Sequence, residues 1–295
     1  MVMRLEQLTY FVAVAEHRHF TRAAAAAGVT QPSLSKQIHA LEDELGAPLF
    51  TRGEVALTPA GEALLPLAQR VLADVDTARR EVQDLVGLRR GRIRLGATPS
   101  LCTSLAPRVL RRFRDAHPGI ELHVREGGSH DLVRDLGRGE LDLALIVLPQ
   151  QGTEPGLEAE PILREPLVVA SATPIDGPMP IAELRDRPLV MFREGYNLRD
   201  DALDACRRAG FTPTFAVEGG ELQTVLGFVE AGLGVALVPQ MVVAGRPRLY
   251  ATPLAPPGVR RTIALARRRG VSLPHAARAL RDMIRADTGP RPARS

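Results

Sequence analysis

The sequence predicts an α+β multidomain chain: a helical unit at the N-terminus, one long linker helix, and a larger α/β domain of two lobes. Three observations predict it. Apolar residues recur at helical spacing through the first 58 residues, punctuated by glycine and N-cap residues. A strict four-three alternation of apolar residues then runs from Leu64 to Leu85. From Arg92 onward, short β-type apolar runs alternate with helical patterns.

The 295 residues suffice for two domains. With 45% hydrophobic and 24% charged residues, the chain reads as soluble and globular. It has no run of about eighteen apolar residues that would span a membrane. Its opening, MVMRLEQLTYFVAVAEHRHF, sets Glu6 and Glu16 in a helical rhythm and makes a poor signal peptide. A cytoplasmic location is therefore expected. The net charge of +4 hints at polyanions but decides little. In the first sixty residues Arg4, Arg18, Arg22, Lys36 and Arg52 are balanced by Glu6, Glu16, Glu42, Asp43, Glu44 and Glu54. Only local pattern can argue for nucleic acid there.

That pattern is specific. Leu5, Leu8, Val12 and Ala15 predict a first helix from about Leu5 to Glu16, ended by His17-Arg18-His19. Phe20-Thr21 reads as a staple and N-cap opening a second helix at Arg22. Ala23 to Ala27 keep it thin enough for a close helix crossing, and Gly28 suits a left-handed residue past its end. Thr30 is the next N-cap, with Pro32 in the first turn of a third helix from about Gln31 to Leu45. Leu34, Ile38, Leu41 and Leu45 share one face of it. The opposite face holds Pro32, Ser35, Lys36 and His39, edged by Gln31 and flanked by Thr30 and Ser33. This is helix-turn-helix geometry, in which the second helix enters a major groove with its N-terminal residues against base edges. Gln31 suits adenine, Ser35 several bases, and Lys36, the chain's single lysine, guanine or a phosphate.

The run FTRAAAAAGVTQPSLSKQIHALEDELGAPLFTR, followed by LTPAG at Leu57–Gly61, resembles the LysR-type transcriptional regulators without gaps. The resemblance implies a winged helix-turn-helix over residues 1–58 that binds promoter DNA as a dimer or tetramer. It implies contacts from Gln31, Pro32, Ser35, Lys36 and Arg52. One feature departs from the family: the wing, Gly53-Glu54-Val55-Ala56, is short and lacks a basic tip. Glu54 would face phosphate unfavourably, so weak wing contacts are expected.

Thr58 caps a long helix from Pro59, in the linker and hinge segment 59–90. Leu64, Ala68, Val71, Val75, Ala78, Val82 and Leu85 form a heptad seam that calls for a partner helix, although Pro66 should kink or loosen its first turns. Gly87-Leu88-Arg89-Arg90-Gly91 reads as a solvated hinge.

In residues 91–295 a strand at Ile93–Gly96 is followed by a helix from about Leu101 to Ala116, interrupted near Pro107, and a strand at Ile120–Arg125. A helix then ends near Gly137, and Leu141–Val147 is a near-continuous apolar strand, as in a sheet covered on both faces. Pro149–Pro161 reads as a loop. A second series follows: strands at Leu167–Ala170, Leu189–Phe192, Phe215–Glu218 and Val235–Val238, with helices at Asn197–Ala209 and Glu221–Ala231. Short strands near Leu249–Thr252 and Thr262–Ala266 lead to a last helix at about Pro274–Ala286, and the GPRPARS tail looks disordered. Leu122–Val147 and Glu221–Pro239 are similar to the family's effector-binding domain, which has a fold like the type II periplasmic binding proteins. This implies lobe I at 91–165 and 266–295, with lobe II at 166–265 as an insertion.

Ligands of open α/β sheets sit beyond the carboxyl ends of strands, where helix N-termini offer free N–H groups. Thr98-Pro99-Ser100, Gly128-Ser129 and Tyr196-Asn197 are such starts, and Val147 closes the apolar strand beside them. The resemblance implies effector contacts at Ser100 and Ser129. Arg199 is a candidate carboxylate partner, and a small anion or carboxylate is the expected effector. No cofactor is expected. Cys102 and Cys206 lie one in each lobe and read as buried small hydrophobes rather than a redox pair. The histidines lack metal spacing, and no nucleophile elbow, P-loop or paired-carboxylate motif suggests an enzyme. The partners this reading calls for are double-stranded promoter DNA, a small-molecule effector, further copies of the chain as a homodimer or homotetramer, and RNA polymerase, with no membrane.

Overall fold

The computed structural model describes residues 3–51, 53, 55–85, 91–148 and 156–288, with side chains at 80, 81 and 83–85 left aside. Arg52 and Glu54 of the wing, residues 87–90 of the hinge, residues 149–155 of the expected loop and the GPRPARS tail lie outside the described residues. The chain divides into two compact units, one built on residues 1–89 and one on residues 90–295.

The first unit begins with α1 (Leu5–His17), α2 (Phe20–Ala26) and α3 (Gln31–Leu45). Its core is Leu8, Phe11, Val14, Ala23, Ala24, Leu34, Ile38, Leu41, Leu49 and Phe50. Of the alanine run only Ala23 and Ala24 are wholly buried in this core, while Ala25 and Ala26 are exposed. The buried side of α1 is centred on Gln7, Leu8, Tyr10, Phe11 and Val14; of the expected stripe Leu8 is buried, Val12 and Ala15 pack partly buried against the core, and Leu5 is 43% exposed. The reason is Phe11, whose ring packs 5.5 Å from that of Phe50 and turns the helix about its axis. At the other end of the stripe on α3, Leu45 is 44% exposed.

The turn also differs in one cap. α2 opens at Phe20, and His19 Nδ1 accepts from Thr21 N at 3.2 Å, so His19 rather than Thr21 is the N-cap. Gly28 adopts the expected left-handed conformation (φ 70°), while Gly28 N and Val29 N donate to Ala25 O and Ala24 O. Thr30 holds the N-cap position of α3, but its hydroxyl makes no capping bond.

After α3, Glu42 accepts from Leu49 N (2.7 Å) and Phe50 N (3.4 Å), tying the helix to a short antiparallel bridge between Phe50 and Leu57. Thr58 Oγ1 donates to Pro48 O and accepts from Gly61 N, opening α4 (Pro59–Leu85). Gly61 is required there: a Cβ would lie 2.3 Å from Leu49 O.

In the second unit, β1 (Gly91–Ala97), α5 (Pro99–Thr103), α6 (Leu105–Ala116), β2 (Ile120–Glu126), α7 (Ser129–Gly137) and β3 (Leu143–Val147) form a parallel βαβ frame. The break between α5 and α6 falls at Ser104. Pro107 is the third residue of α6, where its missing N–H leaves no bond unmade. β3 is buried on both faces, which explains its continuous apolar run. Leu143 and Leu145 join one core with Leu101, Val109 and Phe113; Ala144 and Ile146 join another with Leu132 and Leu136.

A long strand, β4 (Leu157–Ser171), occupies the C-terminal part of the expected loop and runs on into the second lobe. Pro161 sits at its register shift, where a missing donor is tolerated. The second lobe holds a 3₁₀ turn (Ile181–Asp186), β5 (Leu189–Met191), α8 (Asn197–Arg208), β6 (Phe215–Glu218), α9 (Leu222–Glu230), β7 (Ala236–Pro239), α10 (Gln240–Val243) and β8 (Tyr250–Pro253). β9 (Arg260–Arg268) then returns antiparallel between β3 and β4, and α11 (His275–Thr288) joins the first lobe's core through Leu280 and Ile284. Ile263 and Leu265, inside the range expected for lobe II, also pack in that first core. The main sheet runs β2-β1-β3-β9-β4-β7, with β8 also on β4. Thus β4 and β9 are the two crossings between lobes.

Candidate functional site

The N-terminal half of α3 presents a polar surface opposite Leu34, Ile38 and Leu41. Thr30, Gln31, Pro32, Ser33, Lys36 and His39 are exposed, and Ser35 is partly so. The side chains of Gln31, Ser33, Ser35 and Lys36 engage in no hydrogen bond or ion pair with the described residues. His39 differs, with Nδ1 lying 3.1 Å from Glu42 Oε2. Gln31, Ser35 and His39 border a concavity of about 750 Å³ whose far wall is Pro48, Phe50 and Thr51. Arg52 lies outside the described residues. An exposed ammonium and amide with no competing partner, at the start of a helix fastened by Glu42, suit a polyanionic groove.

The linker helix α4 presents two apolar faces. Ala60, Leu64, Leu65, Ala68 and Leu72 pack against the first unit's own core. Leu64 and Ala68, expected in the seam, are therefore spent within the unit. Leu67 (51%), Val71 (40%) and Val82 (61%) are exposed, so the outward stripe starts at Leu67. The helix continues through Pro66.

In the second unit, Thr98, Ser100, Ser129, Val147, Tyr196 and Asn197 line a single cleft of about 340 Å³. The first four come from the first lobe and the last two from the second. Ser129 Oγ accepts from Val147 N at 3.2 Å, which leaves its proton free to donate. Thr98 Oγ1 and Ser100 Oγ stand 3.5 Å apart. α5 has only five residues and supplies hydroxyls rather than a dipole. α7 and α8 are long enough to turn positive N-terminal ends to the cleft.

Arg199 does not line this cleft. Its guanidinium pairs with Glu218 at 2.6 Å, donates to Phe192 O at 2.8 Å and lies over the Phe215 ring. Two residues on from Asn197, and so turned to another side of α8, it points toward β6, which supplies the better partner.

The cleft's arginines are instead Arg261 and Arg193. Arg261 lies directly across the β4–β9 ladder from Glu165. Its Nε and Nη2 donate to Glu165 Oε2 at 2.8 and 2.6 Å, and both side chains are almost fully buried. Glu165 Oε1 accepts from Met241 N at 2.9 Å, so both its oxygens are used. Nη1 of Arg261 has no hydrogen-bond partner among the described residues. Arg193 is held by Glu221 at 2.8 Å. The sequence reading missed Arg261, although a signal was present: by strand alternation it shares a face with the apolar Ile263 and Leu265.

Tyr196 is nine-tenths buried, stacked on Phe192 at 5.0 Å, and its hydroxyl has no hydrogen-bond partner among the described residues. Burial, then the Glu221 charge, raises its pKa and keeps it a donor. Asp201 lines the cleft partly buried, and burial raises its pKa too. Burial pushes the thiols of Cys102 and Cys206 up to about 11, with the Glu126 charge adding to the effect at Cys102. Among the described residues no helix is long and apolar enough to cross a membrane, and no group of three or more His, Cys, Asp or Glu could hold a metal.

Residues 5–62 match the family model of the bacterial regulatory helix-turn-helix protein, lysR family, and residues 87–289 match the LysR substrate binding domain. A protein named "Probable hydrogen peroxide-inducible genes activator" from Streptomyces viridosporus is 38% identical over 91% of this chain and 89% of its own. Among solved structures, a full-length OxyR variant from Pseudomonas aeruginosa superposes with a TM-score of 0.78 at 32% identity, covering 97% of this chain and 95% of that one. Full-length CbnR complexed with its target DNA gives 0.70 at 25% identity, covering 96% and 99%.

Proposed function

This chain belongs to the lysR family of bacterial helix-turn-helix regulators, and from that premise we propose that α3 reads promoter DNA while the cleft binds a small effector that modulates the reading. It is a DNA-binding transcriptional regulator with an effector-binding domain. We read residues 1–58 as the winged helix-turn-helix, 59–90 as the dimerising linker and 91–295 as the effector domain. The observation carrying the proposal is the polar face of α3, on which the Gln31, Ser33, Ser35 and Lys36 side chains have no partner among the described residues. Gln31, Ser35 and Lys36 reach the groove, with Thr30, Pro32, Ser33, His39 and Arg52 around them. The target DNA in the CbnR complex is that protein's own, and it lends support by likeness.

The outward stripe of Leu67, Val71 and Val82 is the surface on which a second copy would pack. Two readers on one duplex then stand about one helical turn, or a multiple of it, apart. The effector acts only through different affinities for two arrangements of the lobes. Its anchors are Thr98, Ser100, Ser129, Val147, Tyr196 and Asn197, to which Arg261 is added and from which Arg199 is withdrawn. No reaction is assigned to the cleft, since the relatives it resembles are regulators.

The peroxide response in the relatives' names is not extended to these cysteines. With its pKa pushed up to about 11 by burial, the Cys206 thiol stays protonated near neutral pH. It is also buried on α8. Selection of full-length protein on a pool of random-sequence duplexes tests the DNA reading. We expect paired half-sites from the wild type and relaxed base preference from Ser35→Ala. A pool that enriches no sequence would refute α3 as a specific reader.

A further inference from the structure

Resting on the cleft as the effector site, we infer that the effector is a zwitterion, its anionic group taken by Arg261, Tyr196 and the α7 start at Ser129, and its protonated amine taken by Asp201. The charged groups lining the cleft differ in whether a neighbour already engages them. The lining contains Glu126, Asp131, Asp201 and Glu221 against Arg193 and Arg261. Asp131 is held by Arg134 at 2.7 Å and Glu221 by Arg193 at 2.8 Å. Glu126 stands beside the Cys102 thiol. Arg261 is neutralised by Glu165 but keeps one unengaged edge.

Asp201 has no hydrogen bond or ion pair among the described residues. Arg261 and Arg208 attract it through space, Asp200 and Asp204 repel it, and burial outweighs them all by raising its pKa. A partly buried carboxylate with no donor is the kind of group that a ligand completes.

A ligand that is only an anion meets this carboxylate, which has no hydrogen-bond donor among the described residues, and is repelled by it. A ligand that is only a cation satisfies Asp201 but offers no acceptor to the Tyr196 hydroxyl and the Arg261 edge, which open into the cleft from residues that are otherwise nine-tenths buried. A molecule carrying both charges satisfies donors and acceptor together. The volume of about 340 Å³ lies at the small end of the roughly 300–1,000 Å³ of ligand sites, which suits an amino acid or similar amino carboxylate.

The experiment is calorimetric titration of the full-length protein with three series: the common amino acids, their des-amino acids, and their decarboxylated amines. At least one amino acid is expected to bind, with both counterparts weaker by about tenfold or more. Asp201→Asn, checked by its melting temperature, is expected to abolish that preference while leaving the des-amino acid's affinity unchanged or improved. Des-amino acids binding as tightly as amino acids, or a preference for the amino acid that persists in Asp201→Asn, would overturn the inference and leave the cleft intact. Amino-acid binding unaltered by both Arg261→Met and Tyr196→Phe would overturn the cleft itself. No binding in any series would exclude the zwitterion class.

Discussion

Glu165→Gln isolates the pair that aims Arg261 into the cleft. The two side chains are 2% and 4% exposed, and Glu165 offers both oxygens, one to Arg261 and one to Met241 N. Gln keeps an acceptor for Met241 N but removes the countercharge. Breaking a buried pair strands the remaining charge, a loss of about 3–5 kcal/mol. The lower end applies because the Asp201 carboxylate still attracts Arg261. At about 2–4 °C per kcal/mol for a domain this size, 3 kcal/mol lowers the melting temperature by about 6–12 °C. Differential scanning calorimetry of the full-length protein measures it. Glu165→Gln/Arg261→Met removes the stranded charge and should recover most of the loss. A single variant within about 2 °C of wild type, or a double variant less stable than the single, would refute the stranded-charge reasoning.

Lys36→Ala should weaken DNA binding and lower the salt slope by about one, measured by fluorescence anisotropy across salt concentrations; an unchanged slope removes Lys36 from the phosphates. Val71→Glu and Val82→Glu set charges on the outward stripe of α4 and should shift sedimentation toward monomer, whereas Leu64→Glu should instead unfold the first unit. The Cys206 thiol, held at about 11 against an ordinary 9.0, contributes stability that is complete below pH 9 and lost as pH rises through 11. The gap in melting temperature between wild type and Cys206→Ala should therefore narrow across that window; a constant gap would contradict the burial shift.

The amino-acid order determined the features that depend on near neighbours. The alanine run, Gly28, Pro32 and the Leu34–Ile38–Leu41 face define a close helix pair and an outward polar helix, because helical period and φ preference act over a few residues. The alternation of β and α patterns likewise located nearly every strand and helix of the larger domain, and six of the seven cleft residues named from it share one cavity. Tertiary structure decided which of two plausible partners a side chain takes. Phe11 against Phe50 rotated α1, and the first unit's core claimed Leu64 and Ala68 from the linker seam. β6 drew Arg199 away from the cleft, and a cross-strand neighbour 96 residues distant aimed Arg261 into it. β4 also depended on its partner: Pro161 and Pro166 spoil its local pattern, and only pairing with β9 makes those residues a strand. Charge pairing and sheet register are long-range contacts, and the residues that win them are settled by distance in the folded chain.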